Sequence, residues 1–139
     1  MPTRGEFKQL ARLRLGDAET LYVEKRYAGA YYICGLAVEC GIKAIIAGRF
    51  KRHDIPEKEL VQSIYSHSFT ALIEIARLRP QLDAEMKDNE AFFASWNVVK
   101  DWSINCRYNC AIRKIKARDM LSAVNDPTNG VIPWLRRRW

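Results

Sequence analysis

The chain is short of the residues that build most metal and nucleophile sites. It has two histidines in 139 residues, so any imidazole base is either His53 or His67. Neither belongs to an H-x-x-H or H-E-x-x-H pattern, and no acidic cluster is spaced to hold a cation. The four cysteines (Cys34, Cys40, Cys106, Cys110) contain no C-x-x-C pair. Cys34 and Cys40 would lie about 240° apart around a helix, while Cys106 and Cys110 offer only two ligands on one face. No metal and no cofactor are therefore expected, and the thiols are read as reduced core groups. Gly29, Gly35 and Gly41 are spread along one apolar helical stretch, not gathered in a phosphate-cradling turn, and no G-x-S-x-G elbow occurs. Strand-like alternation, long linkers and internal repeats are all missing. The opening residues, MPTRGEFKQL, carry no apolar leader, so the expected location is cytoplasmic.

What the chain has in plenty is helical periodicity. With 48% hydrophobic and 28% charged residues it has the composition of an ordinary folded domain, and its length fits one domain over 1–139. Residues 27–47, YAGAYYICGLAVECGIKAIIA, are apolar, small or aromatic all round, with Glu39 and Lys43 as the only charges. Such a helix is a membrane span or the centre of a packed core. Two charges near the middle of a span would cost about 2.5–3.5 kcal/mol each, and no second span accompanies this one. The reading is a central core helix and no membrane, with Gly48 at its end.

Around this spine, residues 4–24 form an amphipathic helix through Phe7, Leu10, Ala11, Ala18, Leu21 and Tyr22, flanked by Leu13 and Leu15. Arg14 falls near the centre of its apolar arc, either paired with a buried carboxylate or lying along the core edge and reaching outward. Pro56 starts a short helix over 57–64, and Ser66 or Ser68 caps another over 69–78. Pro80 ends it or starts the next segment. Phe92, Trp96, Val99, Trp102 and Cys106 step by helical intervals and make residues 82–106 the cleanest seam, read as core. A helix over 112–125 presents Ile112, Ile115, Met120, Leu121 and Val124. Residues 126–130 are a turn, and 131–138 a last short helix. The fold expected is all-α, an antiparallel bundle of four to five main helices plus short ones.

Charge is concentrated late. Residues 107–139 hold eight Arg or Lys against Asp119 and Asp126, while residues 1–106 hold fifteen against fourteen. A basic final quarter suits an anionic partner such as RNA or a nucleotide, or it is a solubilising surface. Arg136, Arg137 and Arg138 belong to this electrostatic group. Glu39 and Lys43 stand one turn apart, acid first. On so apolar a helix they are an internal ion pair that locks the packing, completed by Arg14, or a cleft facing a ligand. The lock is preferred. His53 lies in a basic connector, and His67 lies at a helix start between two serines.

RYAGAYYICGLAVECGIKA, SHSFTAL, WNVVKDWSINCRY and NGVIPWLRRRW together resemble the HEPN domain superfamily, in particular small stand-alone bacterial HEPN proteins. The likeness runs from Phe7 to Trp139. It implies a helical bundle, a homodimer, and association with nucleotides or RNA, in toxin–antitoxin or defence settings or beside a small nucleotidyltransferase. Catalytic HEPN members are metal-independent endoribonucleases that pair an arginine with a histidine a few residues further on. The imidazole then lies near the scissile 2′-OH and the cation on the phosphate. That motif is absent here. Arg107 has no histidine after it through Ala117, His53 follows Arg49 at too short an interval, and no arginine stands at the required interval ahead of His67. The resemblance thus implies a non-catalytic binding protein. The alternatives are a ribonuclease with a rearranged site, or a purely structural interaction module. Arg107 and Tyr108 are the leading ligand-binding candidates, with Glu39, Lys43, His67 and Arg14 lining or supporting the same cleft.

Overall fold

In a computed structural model, which describes residues 1–50 and 54–139, eight α-helices and one 3₁₀ turn account for the regular structure. The helices are α1 (Arg4–Val23), α2 (Tyr27–Gly48), α3 (Lys58–Ile64), α4 (Phe69–Ile75), α5 (Arg79–Asp88), α6 (Glu90–Val99), α7 (Lys114–Asn125) and α8 (Val131–Arg136). The 3₁₀ turn, Ile104–Tyr108, sits between α6 and α7. No strand occurs among the described residues, and the architecture is an all-α bundle. His53, with Lys51 and Arg52 of the basic connector, lies outside the described residues.

α1 starts with a full capping box: Thr3 Oγ1 accepts from the Glu6 N–H, and the Thr3 N–H donates back to Glu6. It ends in a Schellman turn, with the Arg26 N–H donating to the Leu21 carbonyl and Lys25 in the left-handed region at φ 61°. That short link folds α2 back antiparallel on α1, and Phe7, Ala11, Leu15 and Ala18 are the buried face of α1. α2 is the spine: it packs against α1, α4, α7, α8 and the 3₁₀ turn. It has the length and composition of a membrane span, yet 72% of its apolar window is buried by the other helices. Neighbouring helices, then, cover that apolar surface.

Two glycines on α2 let neighbours approach closely. A Cβ at Gly35 would stand 2.0 Å from Trp102 Cε2, so the indole lies flat on the bare backbone there. At Gly41 the neighbours are Leu135, Trp139 and Ile132, which seat the C-terminal end of the chain on the spine.

Several element boundaries differ from the periodicity. The seam over 82–106 is three elements, not one helix. Asn89 is extended at φ −135° and caps α6 by accepting from the Phe92 N–H, and its amide donates to Asn129. α6 then ends at Val99. Phe92, Trp96, Val99 and Trp102 are nonetheless buried, because the turn after α6 keeps Trp102 on the same side. α4 stops at Ile75, where a second Schellman turn puts Arg77 at φ 57°, three residues before the expected end. Pro56 precedes α3 instead of entering its first turn. On α7 the buried positions are Ala117, Met120, Ala123 and Val124, whereas Ile115 is exposed.

Candidate functional site

Glu39 and Lys43 are buried on α2, at 7% and 8% exposure. Lys43 Nζ donates to Glu39 Oε1 at 2.7 Å, as the one-turn spacing requires. The third member is His67, whose Nδ1 lies 2.9 Å from Glu39 Oε2. Both carboxylate oxygens are therefore matched, which a buried charge needs. His67 is held at the start of α4 by its serine neighbours: Ser66 Oγ accepts from the Ser68 N–H, and Ser68 Oγ accepts from the Ala71 N–H as the N-cap. With Nδ1 engaged by the carboxylate, the network assigns the proton to Nδ1 and leaves Nε2 as the open ring nitrogen. The His67 side chain is 46% exposed, so the network runs from the buried pair to a ring that faces solvent.

His67 opens on a cleft of about 390 Å³ between the start of α4 and the segment after α6. Ser68, Thr70, Ser103 and Lys100 supply its polar groups, and Phe69 and Trp102 its aromatic wall. Phe69 stacks on Trp102 at 5.0 Å, and Trp102 stacks in turn on Tyr32 at 6.5 Å, both nearly parallel. The Trp102 Nε1–H faces Gly35 and finds no protein acceptor, so the indole is set by stacking and shape. One ammonium, one imidazole and three hydroxyls beside aromatic rings suit an anion that carries a flat group.

Arg107 and Tyr108 lie elsewhere. They line a smaller groove, about 190 Å³, with Ala28, Gly29, Tyr32, Cys106 and Cys110. The Arg107 guanidinium covers its neighbour's ring at 4.8 Å, and Tyr108 is 76% exposed. The groove sits against α2 at Ala28–Tyr32, and Glu39 is seven residues further on, a rise of about 10 Å. The expected convergence of Glu39, Lys43, His67 and Arg107 in one pocket therefore does not occur: the first three form one cluster, and Arg107 with Tyr108 forms another. Glu39 and Lys43 also do not line the cleft. They stand behind His67 and support it.

Arg14 does not complete the buried pair. It bonds Asp17 at 2.8 Å on a side chain 41% exposed. Ala11, Leu15 and Ala18 define the buried face, and Arg14 falls on its edge and reaches outward. His67, from 28 residues along the chain, takes the place expected for Arg14. Arg136 and Arg137 are exposed, whereas Arg138 is a packing residue. Its guanidinium lies 4.0 Å from the Trp134 ring and donates to Gln81 Oε1 and the Trp134 carbonyl.

Burial pushes the Cys40 thiol up to about 11 and the Cys34 and Cys106 thiols upward as well, so none of the three is an activated nucleophile. A larger opening, about 630 Å³, lies at the other end of α2 around Ile46, Phe50 and Arg77 and contains none of the expected site residues. Lys100 and Ser103 were not expected from the sequence. Both flank Trp102, but only the turn after α6 brings them to His67. Comparison with family models, curated proteins and solved structures returns no match.

Proposed function

We propose that this chain is a HEPN-like helical protein that binds the phosphate of a nucleotide or of RNA without cleaving it. One observation carries the reading: an imidazole oriented by Glu39 stands beside Lys100 at the edge of a stacked aromatic wall, on a chain of net charge +7. Phosphate oxygens accept from the ammonium and the hydroxyls, a ribose hydroxyl donates to the open Nε2 of His67, and the sugar or base lies at the edges of the rings. Such binding weakens steeply with salt, because each neutralised phosphate releases counterions. The homodimer, the nucleotidyltransferase or toxin partner and the defence setting follow from the resemblance and are proposed with it.

A ribonuclease with a rearranged site is the second reading, favoured by the Glu39–His67 contact, which orients a ring as a general base requires. Against it, Arg107 lies in a different groove, and the cleft pairs its one imidazole with Lys100 alone, with no carboxylate among its described lining residues. The test is a fluorescence titration, with Trp102 at the cleft as reporter, using a nucleoside monophosphate and a short RNA at low and moderate salt. Saturable, salt-sensitive binding that His67→Ala and Lys100→Ala each weaken supports the proposal. No binding at low salt sinks it, and metal-free, His67-dependent cleavage of the RNA replaces it with the second reading.

A further inference from the structure

The two grooves are not independent. The aromatic stack joins them: Trp102 walls the His67 cleft, and its stacking partner Tyr32 lines the Arg107 groove. The same backbone segment borders both, with Ser103 and Ile104 on one side and Cys106 to Tyr108 on the other. Four 3₁₀ steps from Ile104 to Tyr108 span about 8 Å at ~2 Å per residue. A strand of stacked duplex DNA advances ~3.4 Å per nucleotide along its axis, so by that measure a strand of about two to three nucleotides is long enough to bridge the distance.

Positive charge is concentrated in the same part of the sequence. Residues 102–118 contain no Asp or Glu and five Arg or Lys: Arg107, Arg113, Lys114, Lys116 and Arg118. All five are exposed. Lys116 lies over the Tyr31 ring at 5.1 Å, and Tyr31 is the α2 neighbour of Tyr32, which lines the Arg107 groove. Asp101 and Asp119 border this stretch, and Asp119 pairs with Arg118 at 3.3 Å, which leaves Arg107, Arg113, Lys114 and Lys116 as its other cations. At its outer end Tyr108 is the most exposed aromatic ring among the described residues, with Arg107 against it. An exposed ring held by a cation is the arrangement that stacks unpaired bases.

We propose that the occupant is a single strand of RNA, several nucleotides long, crossing the 3₁₀ turn from His67 and Lys100 to Arg107 and Tyr108. This rests on the phosphate-binding reading of the His67 cleft and extends it: the cleft holds one phosphate, and the second groove holds a neighbouring nucleotide with its base on Tyr108. A mononucleotide fills only the first, and a duplex, its bases already stacked, gains nothing from Tyr108.

The measurement is fluorescence anisotropy of a labelled uridine hexanucleotide, with uridine monophosphate and a matching duplex as competitors, at one fixed low salt. The hexanucleotide binds about tenfold or more tighter than the monophosphate, and the duplex competes poorly. Tyr108→Ala weakens the hexanucleotide about fivefold or more and leaves the monophosphate unchanged. Because Tyr108 is exposed, that variant folds. His67→Ala weakens both ligands. If hexanucleotide and monophosphate bind equally, or Tyr108→Ala changes neither while His67→Ala weakens both, the strand track is wrong and the phosphate cleft stands. If neither ligand binds wild type, both readings fall together.

Discussion

Replacing Lys43 by methionine keeps the side chain's length and removes only its ammonium. Glu39 is then left at 7% exposure with His67 as its remaining partner. Removing one member of a buried ion pair costs about 3–5 kcal/mol, because the surviving charge keeps its desolvation penalty without its compensation. A domain of this size has roughly 5–15 kcal/mol in total, so the loss is a large fraction. The midpoint of thermal unfolding should fall on the order of 10–20 °C. The double variant Glu39→Leu with Lys43→Met removes both charges and should recover most of that loss. His67→Ala, on a half-exposed side chain, should cost about 1 kcal/mol or less. Urea and thermal denaturation followed by far-ultraviolet circular dichroism measure all three. A Lys43→Met cost below about 1 kcal/mol, or a double variant as unstable as the single, would refute the view that Glu39 and Lys43 lock the bundle.

Two further outcomes follow from the packing. Gly35→Ala should destabilise by about 1–3 kcal/mol despite alanine's better helix propensity, since its Cβ would meet Trp102 at 2.0 Å. In a Trp102→Ala background the same substitution should become stabilising by about 1 kcal/mol, and denaturation curves of the four proteins show whether the sign reverses. Titration of native protein with a disulfide thiol reagent should modify exposed Cys110 first, with half-buried Cys40 and Cys106 slower. Cys34 should react only as the protein unfolds, and early labelling of Cys34 counts against the packing described.

Much of the helical frame is legible without coordinates, and the misses share one cause. α1 and α2 are long and strongly patterned, so their ends fall within a residue of the periodicity. The seam from Phe92 to Trp102 shows its buried residues correctly while hiding its breaks. Helical spacing reports which side of the chain is apolar. It does not report that Asn89 is extended to reach Asn129, 40 positions away. Arg14 is the same kind of case: its place on the helical wheel leaves both a buried pairing and an outward reach open, and its length takes it outward to Asp17.

What the order of residues alone determined is the class of fold, the role of the stretch 27–47 as its spine, and the Glu39–Lys43 pair. All of these depend on neighbours within a turn or two, where geometry is set by the helix itself. What only the tertiary structure decided is the company that pair keeps. His67 completes it from another helix, and Arg107 with Tyr108 occupies a separate groove on the far side of the Tyr32–Trp102 stack. Those relations depend on how helices turn and dock. That is set by Gly35 admitting an indole and by turns after α4 and α6, where long-range packing overrides local period.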